Sequence, residues 1–177
     1  RGDQFLEVAS QYASTSAGQR ALFLGAASLF AENRYEQAQV HYETFVRKFP
    51  DHPLAGTAAL GIAACLDAQD KPDAALTAYR RVTEQFPADP FVPRSKLAMA
   101  TIYEDQDRPR DALNIYDELA KGQIYGSSAM DAVNRREELL QRHPELTPTN
   151  NVSAVGSPPA LTTTNLDMSP PAGAPDQ

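Results

Sequence analysis

The sequence predicts an all-α fold, a solenoid of antiparallel helix pairs stacked with a 37-residue period. Three observations carry this expectation. The segments Asn33–Tyr42, Asp70–Tyr79 and Asp107–Tyr116 share one pattern, so Ala38, Ala75 and Ala112 recur at a constant step of 37. The same step relates Tyr42, Tyr79 and Tyr116, and again Phe45, Val82 and Leu119. A fixed period of this size marks a helical repeat array, whose units bury their apolar faces only against their neighbours. Finally, a helix-stopping Asn33, Asp70 or Asp107 opens each copy, and prolines close the first two.

Residues 3–14 read as a helix. Phe5 and Val8 stand 37 positions before Tyr42 and Phe45, which makes this the second helix of a pair whose first helix lies upstream of residue 1. A first helix follows at 17–32, with Leu22, Ala26 and Leu29 on one face at i, i+4 and i+7 and Phe23 and Phe30 on an adjacent line. It stops at Asn33, because the short Asn and Asp side chains tolerate the left-handed backbone that ends a helix.

Second helices are predicted at 35–49, 72–86 and 109–121. Pro72 and Pro109 suit a first helical position, where the missing N–H has no intrahelical partner anyway. Small Ala38, Ala75 and Ala112 let the helices of a pair approach closely, and the Tyr42/Phe45, Tyr79/Val82 and Tyr116/Leu119 sets fill the core between pairs. Phe49-Pro50-Asp51-His52-Pro53 and Phe86-Pro87-Ala88-Asp89-Pro90 join the pairs, each proline forbidding continuation of the helix before it. The third joint carries Gly122 and Gly126 instead, and Ser128 with Asp131 three later resembles a capping box.

The expected organisation is a partial repeat at 1–16, repeats at 17–53, 54–90 and 91–126, a capping helix within 127–145 and a tail at 146–177. The last helix, 129–143, is expected to bury Met130, Val133, Leu139 and Leu140 and to turn its charged side to water as a terminal cap. From Pro144 onward there are seven prolines, no aromatic residue and no Lys or Arg, a composition that cannot offset the entropy of ordering, so the tail is expected to be disordered. Asn151-Val152-Ser153 matches the short N-glycosylation pattern and carries little weight.

Composition narrows the function classes. The net charge is −7 and Lys and Arg are spread along the helices, so the concentrated positive surface that nucleic acid requires is missing. The longest nearly apolar run, Ala21–Ala31, is too short to span a bilayer. Cys65 sits in the run Ile62-Ala63-Ala64-Cys65-Leu66 with no second cysteine and no nearby histidine, and reads as a small buried residue rather than a nucleophile or metal ligand. His41, His52 and His143 are scattered, and no metalloprotease motif, phosphate loop or nucleophile elbow occurs. Glu104, Asp105 and Asp107 lack calcium-loop spacing and read as a solvated helix end. No catalysis and no cofactor are expected.

The repeats resemble the tetratricopeptide (TPR) family of paired antiparallel helices. The family's small residue opening the second helix matches Ala38, Ala75 and Ala112, its aromatic four residues on matches Tyr42, Tyr79 and Tyr116, and its closing proline matches Pro50 and Pro87. Ala26, Ala63 and Ala100 replace the usual first-helix glycine. The 37-residue period and the Phe-Pro-x-x-Pro joints resemble bacterial cell-envelope members: the periplasmic protein that accompanies the Sec translocon, the Tol-Pal-associated cell-division coordinator and the outer-membrane assembly lipoprotein. That likeness implies a periplasmic or envelope location, with membrane contact only through an anchor upstream of residue 1; the alternative is a cytoplasmic location.

The resemblance also implies a concave groove lined by the first helix of each pair. Its lining here would be Arg20, Phe23, Ala27 and Phe30, then Thr57, Leu60, Ala64 and Asp67, then Arg94, Leu97, Thr101 and Glu104. Phe23, Leu60 and Leu97 stand where some family members place a basic residue to grip a C-terminal carboxylate, so that clamp is absent. An apolar floor with a charged rim suits an extended or helical apolar segment of a partner protein. Phe23, Phe30, Leu60, Leu97 and Arg94 are the expected anchors. The other expectation is a structural subunit that docks through its convex or end surfaces.

Overall fold

The structure, a computed structural model, describes residues 1–121 and 127–147. Helices α1 (Gly2–Gln11), α2 (Ser16–Ala31), α3 (Tyr35–Lys48), α4 (Ala55–Ala68), α5 (Pro72–Gln85), α6 (Val92–Asp105), α7 (Pro109–Lys121) and α8 (Ser127–Arg142) follow one another, and a 3-10 turn at Pro144–Leu146 closes the series. Each helix packs on the next in the chain. The first helices α2 and α4, and α6 and α8, also touch, so first helices gather on one inner side of the stack. No strand occurs among the described residues.

The stops lie where the sequence places them. Asn33, Asp70 and Asp107 have φ of 59°, 56° and 55°, and they are the non-glycine residues with positive φ among the described residues. The following residue in each copy returns its N–H to the carbonyl five positions back: Arg34 to Leu29 at 2.9 Å, Lys71 to Leu66 at 3.0 Å and Arg108 to Tyr103 at 2.8 Å. This six-to-one bond satisfies a carbonyl that the helix end would leave bare. The left-handed backbone therefore makes the hairpin. Asp70→Val is expected to lose ~1–2 kcal/mol in urea unfolding, because a β-branched side chain clashes there, whereas Asp70→Gly should stay near wild type.

The joints use a second device in the same register. The Thr15 hydroxyl accepts from Gly18 N at 3.1 Å, His52 Nδ1 accepts from Leu54 N at 3.0 Å, and Asp89 Oδ1 accepts from Phe91 N at 3.0 Å. Positions 15, 52 and 89 thus each supply a side-chain acceptor to the start of a first helix, where backbone donors are unpaired.

The core follows the repeat. Ala38, Ala75 and Ala112 are fully buried, and Tyr42, Phe45, Tyr79, Val82, Tyr116 and Leu119 are buried around them. At the N-terminal end the pattern breaks: Phe5 is 38% exposed and Val8 41%, although they share the register of Tyr42 and Phe45. Helix α1 turns Gly2, Leu6 and Ala9 toward α2, and a Cβ on Gly25 would come within 2.6 Å of Leu6 Cδ2, so glycine permits that contact. The Phe5–Val8 stripe is the side that a first helix covers in the other pairs.

The C-terminal end corrects the sequence reading. Helix α8 buries Ala132 and Leu139, which stand 37 after buried Ser95 and Ile102, while Leu140 is half-buried. Met130 (66%) and Val133 (43%) are exposed rather than buried. At about 100° per residue Met130 lies on the far side of the helix from Ala132. The helix starts at Ser127, so Ser128 falls inside the first turn and not ahead of it. The turn at Pro144–Leu146, with Leu146 half-buried, takes the start of the expected tail. Gly122 and Gly126 of the third joint, and residues 148–177 with the expected disorder, lie outside the described residues. No described helix is long and apolar enough to cross a membrane.

Candidate partner-binding surface

The inner side of the stack holds a hollow of about 170 Å³ where α2, α4 and α6 converge. Phe30, Thr57, Leu60, Ala64 and Arg94 line it, together with Tyr42 and Gly61. Phe30 ends α2, Thr57 through Ala64 run along α4, and Arg94 opens α6, so the 37-residue stacking brings together side chains 64 positions apart in the chain. Phe30 is half-buried and meets the Tyr35 ring edge-on at 5.2 Å between centroids. Arg94 is exposed and makes no ion pair among the described residues.

Other expected lining residues lie elsewhere. The Phe23 ring is half-buried and packs edge-on against Tyr42 and Phe45, each at 5.7 Å, inside the first pair. Leu97 packs against the core of the second and third pairs. Arg20 is exposed on α2 and does not line the hollow. Asp67 Oδ2 accepts from the Tyr79 hydroxyl at 3.5 Å. Glu104 Oε1 accepts from the Tyr116 hydroxyl at 2.5 Å, and the same carboxylate is paired with Arg142 of α8. Arg135 of α8 donates to the Thr101 hydroxyl at 3.2 Å. Helix α8 therefore engages the C-terminal half of α6 on the inner face, and the open part runs over α2, α4 and the start of α6.

Two residues of the hollow were not expected there from sequence: Tyr42, read only as core, and Gly61. A Cβ on Gly61 would stand 2.7 Å from the hydroxyl-bearing edge of the Tyr42 ring, so glycine is what lets that ring reach the inner surface. A sequence signal for Tyr42 exists. Twelve residues before Tyr79 and Tyr116 stand the acids Asp67 and Glu104, but twelve before Tyr42 stands Phe30. Burial pushes the Tyr42 and Tyr116 hydroxyls up to about 12, helped by the Cys65 thiol in the first case and by Glu104 in the second, so neither ionises near neutrality.

A second hollow, of about 220 Å³, lies between α1, α2 and α3 and is lined by Leu6, Leu22, His41, Thr44, Lys48 and Phe49 among others. It is bounded by consecutive helices of one end only. The α2–α4–α6 hollow spans three successive first helices, which gives an elongated segment a continuous path, and it is the better candidate.

Cys65 is fully buried, and burial, followed by the charges of Glu43 and Glu36, pushes its thiol up to about 12. Thiolate is the reactive form. The folded chain is expected to be inert to a disulfide reagent at pH 7.5 and to react at least about 100-fold faster in denaturant. Comparable rates would mean that this helix opens freely.

Asp67 is exposed, and partial burial of its carboxyl raises it above its ordinary 3.8, with the Tyr79 hydrogen bond opposing and Asp105 adding. A raised folded pKa binds the proton more tightly in the folded than in the unfolded chain. This group's contribution to stability is thus present below 3.8 and lost as pH rises through the folded value. Asp67 also sits in the last turn of α4, where the helix dipole disfavours a negative charge. Asp67→Asn is expected to unfold at or above the wild-type midpoint at pH 7, with the difference vanishing near pH 3; a lower midpoint at pH 7 would contradict this.

Paired helices, left-handed stops and a shared inner face together define an α-solenoid of tetratricopeptide type. Residues 23–90 match the sequence model of the tetratricopeptide repeat. Curated proteins yield no match to the chain. Among solved structures it is similar to PcrH from Pseudomonas aeruginosa, at 14% identity and TM-score 0.59, covering 71% of this chain and 93% of that one. PcrH in complex with the chaperone binding region of PopD gives 14% and 0.60, covering 73% and 96%. The type III secretion chaperone SycD of Yersinia enterocolitica, in complex with a peptide of the translocator YopD, gives 17% and 0.60, covering 74% and 95%. At these identities the likeness is one of fold.

Proposed function

We propose that this chain is a non-catalytic binding module that holds an apolar segment of a partner polypeptide along its inner face, as a scaffold or chaperone-like factor of the bacterial cell envelope. The observation that carries the reading is the open hollow at Phe30, Leu60, Ala64 and Arg94, which an apolar segment can fill without unfolding the stack. The complexes of PcrH and SycD with polypeptide segments lend support from the same fold. The envelope assignment rests on the Phe-Pro-x-x-Pro joints, and fractionating source cells that carry a tagged chain tests it.

The test of binding compares partners captured from envelope extract by the wild-type chain and by Ala64→Arg, Arg94→Glu and Thr77→Glu. Ala64 and Arg94 line the hollow, and Thr77 is exposed on the second helix α5. The first two variants should lose the partner and the third should keep it. Retention by all three sinks the groove reading.

The exposed stripe Phe5, Val8 and Tyr12 favours a second reading, docking through the N-terminal end into a larger assembly. Small-angle scattering that shows concentration-dependent growth, abolished by Val8→Asp, would favour it over the first.

A further inference from the structure

We propose that the α2–α4–α6 hollow is a mixed subsite: it takes one apolar side chain of the partner segment and holds an Asp or Glu side chain of the same segment against Arg94 and the Tyr42 hydroxyl. This rests on the reading of the inner face as the binding surface. It adds the chemistry of the segment. The argument starts from three tyrosines in one register. Tyr79 donates to Asp67 and Tyr116 donates to Glu104, so in the second and third pairs a carboxylate of the chain itself takes the hydroxyl. Phe30 occupies that position in the first pair, and the Tyr42 hydroxyl has no partner among the described residues. No buried side-chain polar atom among them is left unsatisfied, so this hydroxyl keeps some access to solvent.

The exchange of acid for Phe30 also supplies an apolar wall facing Leu60 and Ala64. About 170 Å³ is the space of five or six waters at ~30 Å³ each, suited to a single side chain and its neighbour's carboxylate. Arg94 completes the set, exposed and without an ion pair among the described residues. Where the other pairs carry an internal acid, the first carries none, and Arg94 lines the same hollow. The net charge of −7 opposes an acidic segment at long range. The preference therefore has to come from direct contact, and it is read as a difference between isosteric peptides rather than as overall affinity.

The test titrates the ¹⁵N-labelled full chain by NMR, to several millimolar, with alanine–serine peptides carrying one leucine and, two positions on, aspartate or asparagine. The aspartate peptide should shift the amides around Ala64 and bind about fivefold tighter than the asparagine peptide, the size of one charge-assisted contact at an accessible site. In Arg94→Gln the two peptides should become equivalent, and Tyr42→Phe, which keeps the ring, should narrow the gap. Ala64→Leu, filling the hollow, should weaken both. Equal binding of the two peptides to wild type, with Ala64→Leu still blocking both, overturns the subsite while leaving the groove reading intact. Binding that ignores Ala64→Leu, or no shifts near Ala64, overturns both.

Discussion

Phe45→Ala is expected to cost ~3–5 kcal/mol, measured as the loss in urea unfolding followed by circular dichroism. Phe45 is fully buried and its ring is gripped edge-on by Phe23 at 5.7 Å, Phe49 at 5.4 Å and His52 at 5.1 Å. Truncation loses the transfer free energy of the ring and leaves a cavity that three aromatic neighbours, Phe23 on α2 and Phe49 and His52 in the joint after α3, cannot collapse to fill. A domain's whole stability is of the order of 5–15 kcal/mol, so this variant approaches unfolding. The control is Val8→Ala, 37 positions earlier in the same register. Val8 is 41% exposed, and its truncation should cost under about 1 kcal/mol. Similar losses at both positions would mean that Val8 is covered in solution.

The second large effect is Ala75→Leu, expected to cost ~1–3 kcal/mol by overpacking. Ala75 is fully buried in the core shared by α4, α5, α6 and α7. Its methyl sets how closely α4 and α5 approach, and every added carbon must push the two helices apart or force a strained rotamer. Ala74 is the neighbouring residue on the same helix and is exposed, so Ala74→Leu should leave the unfolding midpoint within about 0.5 kcal/mol. A neutral Ala75→Leu would show that the pair contains slack that the packing does not suggest.

The repeat was legible because a solenoid's contacts are between neighbours. Each residue's environment is set by positions a fixed distance away in the chain, so spacing alone marks Ala38, Tyr42 and Phe45 as core and Asn33, Asp70 and Asp107 as stops. Reading went astray where the neighbour is missing. Met130 and Val133 were placed inside by their apolar character, yet α8 has no second helix among the described residues to cover that side, and only the face carrying Ala132 and Leu139 meets the stack. Within the site, Phe30, Leu60 and Arg94 converge, while Asp67 and Glu104 are engaged by tyrosines of their own pairs. Which of these side chains stays open depends on packing across helices, which no periodicity records.

The sequence by itself determined the helix pairs, their period, their left-handed turns and the identity of the core, since all of these follow from local backbone preference and from contacts repeated at one spacing. Only the tertiary structure decided which part of the inner face is open. Helix α8 brings Arg135 and Arg142 onto the third pair, Gly61 uncovers the Tyr42 ring, and Phe30 leaves its hydroxyl without an acid. Those outcomes depend on side chains reaching between elements 12 to 38 positions apart, where a single exchange of residue type changes who bonds to whom while leaving the fold unaltered.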